Sequence, residues 1–136
     1  MVARPALTDS TLASESFPYI LGRTVEYGYD ALGRRTSMGL KNAGASEFET
    51  TYSYDSMSRL ATVSSQGVSA AYTRVAGANL LSNTSFNNGI LSVARTYDAA
   101  DRLSGTASSF GGRTVSREYT YDLAGRRTRA KSEDNT

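Results

Sequence analysis

Four Tyr-Asp dipeptides carry the residues best suited to chemistry: Tyr29-Asp30, Tyr54-Asp55, Tyr97-Asp98 and Tyr121-Asp122. An arginine stands four residues after each aspartate, at Arg34, Arg59, Arg102 and Arg126. Asp30, Asp55, Asp98 and Asp122 invite a carboxylate-pair reading, since pairs of carboxylates hydrolyse glycosides. A catalytic group is needed once, however, whereas these recur at one place in a repeating pattern. Recurrence argues for structure. An aspartate that opens a turn accepts hydrogen bonds from backbone N–H groups two or three residues on. An arginine beside it can pair with the carboxylate and stack on a tyrosine ring. Gly33 and Gly125, three residues after their aspartates, suit the left-handed conformation that closes such a turn. Ser58, Ala78 and Asp101 occupy that place in the other units; a left-handed Ser or Ala costs roughly 1–2 kcal/mol, and Asp less. Glu47 and Glu49 are the one acidic pair outside the pattern to test for catalysis.

Composition removes other chemistries. The 136 residues include neither His nor Cys. That excludes Ser-His-Asp and Cys-His nucleophiles, His acid–base work, zinc sites and disulfides. No cofactor is expected, since no Gly-rich loop reads as a phosphate cradle. The net charge of +2 is too small an excess for a protein that grips nucleic-acid phosphates. The longest apolar stretch, around Tyr19–Leu21, falls far short of the ~20 residues of a membrane span. No apolar run of the ~7–15 residues that a signal peptide needs follows Met1. The length is that of one domain able to bury a sizeable core.

The elements that position the dipeptides follow from their spacing. The Tyr-to-Tyr intervals are 25, 43 and 24 residues, so the middle one should hide a degenerate unit. Residues 72–81 supply it, with Asn79-Leu80 matching Arg59-Leu60 and Arg102-Leu103. A second series, Gly44, Gly67, Gly89 and Gly112, interleaves with the first at spacings of 23, 22 and 23. Asn88-Gly89 is its strongest signal, read as a two-residue hairpin turn. Two turns per period leave two short strands. The incoming strands alternate: Val25, Tyr27 and Tyr29 share a face, as do Phe48, Thr50, Tyr52 and Tyr54. So do Leu91, Val93, Arg95 and Tyr97, and Val115, Arg117, Tyr119 and Tyr121. A period of two with one apolar-aromatic face is a half-buried antiparallel strand.

The spacing therefore predicts an all-β antiparallel meander of about ten short strands in five hairpin units, forming a curved open sheet. Turns are expected at 30–33, 55–58, 75–78, 98–101 and 122–125. Residues 1–23 read as a leader or partial cap, helped by Pro5 and Pro18, residues 24–131 as the array, and 132–136 as a polar tail. The tyrosines read as core and cross-strand pairs. Open edges are expected near Val25–Tyr29 and Arg126–Lys131, with self-association through them. Arg127, Arg129 and Lys131 would share one face there and discourage pairing.

Tyr-Asp-Ala-Leu-Gly-Arg-Arg at 29–35 and Tyr-Asp-Leu-Ala-Gly-Arg-Arg at 121–127 resemble the YD repeat of the Rhs family, Tyr-Asp-x-x-Gly-Arg-Leu. Arg35 and Arg127 replace the Leu. Residues 54–60 and 97–103 keep Tyr, Asp, Arg and Leu, with Ser58 and Asp101 in place of Gly. The resemblance covers roughly residues 24–131, with four motifs at one period and a fifth degenerate. It implies a β-hairpin array of the kind that winds into a hollow β-shell in Rhs polymorphic toxins, Tc toxin subunits and teneurins. Bacterial shells of this kind enclose a C-terminal toxin. The implied role is a non-catalytic wall segment, secreted or at the cell surface as part of a longer chain. Its partners would be further YD repeats and a toxin cargo. The alternative is a surface module whose Tyr/Arg face binds carbohydrate or protein.

Overall fold

A computed structural model describes residues 14–17 and 22–135. These form eleven strands: β1 Ser14–Phe17, β2 Arg23–Tyr29, β3 Arg35–Asn42, β4 Ala45–Tyr54, β5 Leu60–Ser65, β6 Val68–Arg74, β7 Leu81–Phe86, β8 Leu91–Tyr97, β9 Leu103–Phe110, β10 Arg113–Tyr121 and β11 Arg127–Asn135. The only helical element among the described residues is a single 3-10 turn at Asn87–Gly89. The chain divides into two compact units, Met1–Gly67 and Val68–Thr136. In the first, β1 to β5 pair antiparallel in chain order. In the second, β6 to β11 do the same. Neither meander closes on itself. The all-β antiparallel meander is therefore as the spacing predicts, with five hairpins of two strands each and β1 in addition.

All five expected turns form. The N–H of Gly33, Ser58, Ala78, Asp101 and Gly125 each donates to the carbonyl three residues earlier, at 2.9–3.1 Å. Gly33, Gly125, Ser58 and Asp101 are left-handed, with φ of 73°, 78°, 60° and 59°. Between these turns, Ala43-Gly44 and Gly111-Gly112 are two-residue loops with positive φ at both positions, the geometry that matches strand twist.

The third unit differs by one residue. In the other four, the aspartate N–H donates to the carbonyl four residues on; Val75 N–H reaches instead to the Leu80 carbonyl, five on. Pairing brackets the turn as Arg74 opposite Leu81, where the second unit has Tyr54 opposite Leu60. Arg74 thus stands in the tyrosine place, and Leu80-Leu81, not Asn79-Leu80, matches Arg59-Leu60. The extra residue lets Gly77 take the left-handed position at φ 73°, which relieves Ala78 of it.

Four other expectations are corrected. Asn88-Gly89 is not a two-residue turn: Asn87, Asn88 and Gly89 are all left-handed, and four residues separate Phe86 from Leu91. A side-chain bond explains the longer loop, since Asn87 Oδ1 accepts the Ser69 N–H at 2.7 Å. The first-unit edge is β1 and not the Val25–Tyr29 strand, because β1 pairs with β2 over Ser14–Phe17; of the expected leader, Arg23 belongs to β2, and residues 1–13 and 18–21, Pro5 and Pro18 included, lie outside the described residues. Residues 132–135 belong to β11 and pair with β10 as far as Thr114 opposite Asn135. Lastly, Arg127 does not share a face with Arg129 and Lys131. A bulge at Thr128 sets Arg127 opposite Tyr121 and Arg129 opposite Thr120, and one extra residue flips the alternation.

The sizeable core is also absent. Among the described residues no apolar side chain is buried; Thr50 and Thr84, each 6% exposed, are the buried side chains. Within each compact unit, and among the described residues, each strand touches only its sequence neighbours. One face of each meander carries the half-buried tyrosines with most of the arginines and aliphatics; the other carries Ser, Thr, Ala, Gly and some charged residues.

Candidate functional site: the Tyr-Asp-Arg ladder

Each motif aspartate is the hub of its turn. Oδ1 of Asp30 accepts the backbone N–H of Leu32 and of Arg34, at 2.9 and 3.0 Å. Asp55, Asp98 and Asp122 repeat the pair with Met57 and Arg59, Ala100 and Arg102, and Ala124 and Arg126. The donors lie two and four residues on. The N–H three on is unavailable to the side chain because the aspartate's own carbonyl takes it. Oδ2 binds the arginine Nε at 2.7–2.8 Å in all four units.

These bonds hold all four carboxyls below the ordinary aspartate range. For Asp55 and Asp122 the main cause is the Arg59 or Arg126 backbone N–H. For Asp30 and Asp98 desolvation is the largest single influence and pushes upward, but the backbone and side-chain bonds from Arg34 or Arg102 outweigh it.

The fixed arginine then reaches the next unit. The Arg34 guanidinium lies over the Tyr54 ring at 4.6 Å, and Arg102 lies over Tyr121 at 4.6 Å. The same tyrosines are tied by their hydroxyls: Tyr54 donates to the Arg35 carbonyl at 2.8 Å, and Tyr121 to the Leu103 carbonyl at 2.7 Å. Tyr97 does likewise to the Leu81 carbonyl at 2.8 Å. Tyrosine, aspartate and arginine of one motif are thus not one constellation; the arginine of one unit clamps the tyrosine of the next. Arg126 holds Asp122 but is 82% exposed, against 22–36% for Arg34, Arg59 and Arg102.

Sequence reasoning missed a second set of stacks. Arg35 lies over Tyr27 at 4.8 Å and Arg127 over Tyr119 at 4.2 Å, each within one hairpin. Their signal was visible as the two positions where Arg replaces the motif's Leu. Leu60 and Leu103 sit opposite Tyr54 and Tyr97. Of the acidic pair, Glu47 is bound by Arg23 at 3.0 Å and Asn42 at 3.1 Å. Both glutamates line a shallow depression with Ser46, Phe48, Thr51, Ser64, Ser65 and Gln66.

No protein-family model matches the sequence, and no curated protein does. Solved structures do. The chain is similar to a chain of the TcdB2-TccC3-Cdc42 crystal structure, with a TM-score of 0.54 and 16% identity over 84% of its length. It is also similar to a chain of the Photorhabdus luminescens Tc holotoxin pore carrying TccC3-D651A, with a TM-score of 0.55 and 16% identity over 83%. The chain has the fold of a segment of these toxin components. It spans 8% of the length of each. The antiparallel β-meander read from the sequence and the fold shared with these Tc toxin chains thus agree.

Proposed function

We propose that the chain is a non-catalytic wall segment of a larger YD-repeat β-shell that encloses a toxin or other cargo. The observation that carries this reading is the forward clamp: Arg34 on Tyr54 and Arg102 on Tyr121, with both hydroxyls bound to the preceding unit's backbone. Motif groups so used hold neighbouring repeats together and are not left to meet a substrate. The likeness to Tc toxin chains supports the same role, and further YD repeats are the partners it implies. No helix among the described residues is long and apolar enough to cross a membrane; the chain works outside the cell or at its surface as part of a longer protein. Catalysis is not part of the role, and the Glu47 carboxylate is committed to Arg23 and Asn42. The test is to graft these repeats in place of the matching segment of a Tc toxin shell protein. Protease protection of the enclosed toxin is expected to persist. Loss of protection in a folded graft would overturn the reading. Reproducible glycoside, ester or peptide hydrolysis lost in Glu47→Gln or Glu49→Gln would overturn the non-catalytic part.

A further inference from the structure

Two arginines break the repeat. Two residues before the motif tyrosine place, the other units carry Tyr27, Tyr52, Tyr72 and Tyr119; the fourth carries Arg95. Four residues before it, the others carry Val25, Thr50, Ala70 and Val93; the fifth carries Arg117. Recurring residues are explained by the ladder. These two are not.

Strand pairing within the compact unit Val68–Thr136 brings them into one row. Arg95 and Arg117 both sit opposite Thr106, one on each side, and Ser132 continues the row beyond Arg117. Partners directly opposite share a face, here the Tyr/Arg face. Strands lie about 4.8 Å apart, so the two Arg backbones stand about 10 Å apart across a threonine, within reach of one small anion between them. Among the described residues neither guanidinium is paired with a carboxylate. Arg95 donates through Nη1 to Thr84 Oγ1 at 2.9 Å and to the Val93 carbonyl at 3.3 Å, both neutral. Thr84 is 6% exposed, so the hydroxyl that orients Arg95 is itself fixed. Arg117 is exposed, and its side chain makes no hydrogen bond or ion pair among the described residues. Asp134, the carboxylate on this face of β11, is taken by Arg113 at 3.2 Å. Glu118 and Glu133 point to the opposite face by strand alternation.

The flanks choose between anions. On one side of the row stand Val93 and Val115, both opposite Ser108; on the other stand Tyr97 and Leu103. A sugar needs polar partners around its charge, whereas apolar flanks suit an extended peptide whose neighbouring side chains are aliphatic. The guanidinium fork also matches a carboxylate in two-bond geometry.

We propose that Arg95 and Arg117, with Thr106 between them, dock an acidic side chain of an extended polypeptide lying on the Tyr/Arg face. The site stands whether or not the chain is part of a shell. The probe is a labelled peptide of roughly ten residues alternating Glu and Val, titrated against the full chain by fluorescence anisotropy at low salt, beside a Gln-for-Glu counterpart. Arg95→Tyr and Arg117→Val restore the residues of the repeat, so the sheet should survive both; circular dichroism checks this. Each should weaken the Glu peptide by about tenfold or more, as loss of one of two charge-assisted hydrogen-bond partners does. The Gln peptide should bind weakly or not at all. Arg117→Gln, at an exposed position, gives the same expected loss and decides the matter if Arg95→Tyr does not fold. Unchanged affinity in the folded variants, equal binding of the Gln peptide, or no binding at millimolar protein would each overturn the site. Tighter binding of a sulfated oligosaccharide to the same two arginines would overturn the peptide as its occupant.

Discussion

At the residue scale the aspartate does three jobs with three oxygens: its carbonyl closes the turn, Oδ1 caps two N–H groups and Oδ2 aims an arginine. Removing the charge and removing the side chain should therefore differ. Asp98→Asn keeps an oxygen for the Ala100 and Arg102 N–H groups and loses the ion pair with Arg102. Asp98→Ala leaves those groups without an acceptor as well, and unmade bonds cost more than weakened ones. Urea midpoints should fall in the order wild type, Asn, Ala; equal midpoints for all three would contradict the hub role. The four carboxyls also predict an acid response. Each is held below its ordinary value when folded, so the folded state binds fewer protons than the unfolded chain. The stability this gives is complete above the unfolded aspartate value of about 3.9 and is lost as pH falls through the lower folded values. The urea midpoint should be insensitive to these groups between pH 7 and 5 and should drop below about pH 4. The drop should be shallower in a variant with Asp55 and Asp98 both changed to Asn.

At the element scale the turns set what each position tolerates. Gly33 and Gly125 have φ of 73° and 78° with open space or ordinary contact around an added Cβ. Gly33→Val or Gly125→Val should thus destabilise through backbone strain alone, because a β-branched residue is poorly tolerated there. Ser58 is left-handed at φ 60° and already bears part of that cost. Ser58→Gly relieves it but loses the hydroxyl that accepts Arg34 Nη1 at 3.1 Å. Asp101→Gly has no such loss among the described bonds and is the cleaner test. It should raise thermal stability, by up to about 1 kcal/mol less the entropy that glycine adds to the unfolded chain. A lowered melting temperature would contradict the left-handed assignment.

At the scale of the whole molecule, the dominant fact is that no apolar side chain among the described residues is buried. Stability must come from ladder bonds, half-buried rings and the Asp–Arg clamps, and a chain so built is expected to be marginal. The β11 edge makes one strand pairing, to β10, and an unpaired edge is a template for other chains. Its charge protection is thinner than the sequence suggests. Arg127 is drawn over Tyr119, and Lys131 is paired with Glu133, which raises the lysine above its ordinary value. Arg129 remains, and salt at physiological strength screens exposed charges more than about 8 Å apart. Sedimentation over a salt series should show self-association that grows with ionic strength. A strictly monomeric, thermally robust chain at every salt concentration would show the edge to be protected by other means.

The sequence by itself determined what is local and repeated. Turn places follow from Asp at the opening and Gly at the left-handed closing residue, and both depend on backbone conformation over four or five residues. Strand faces follow from alternation, and the antiparallel meander follows from turns too short for any other connection. The tertiary structure alone decided what depends on pairing across strands. Whether Arg34 clamps Tyr29 or Tyr54 is a matter of register between neighbouring hairpins, which no spacing within a motif encodes. The bulge that separates Arg127 from Arg129 arises because one strand carries an extra residue against its partner, and the flip is invisible until the partner is known. The third unit's extra residue was hidden the same way, since Asn79-Leu80 and Leu80-Leu81 fit the motif equally well until Leu81 is seen opposite Arg74. Arg95 and Arg117 stood out in the sequence only as members of two separate strands; the shared partner Thr106 makes them one site, because register places side chains from distant parts of the chain in a single row.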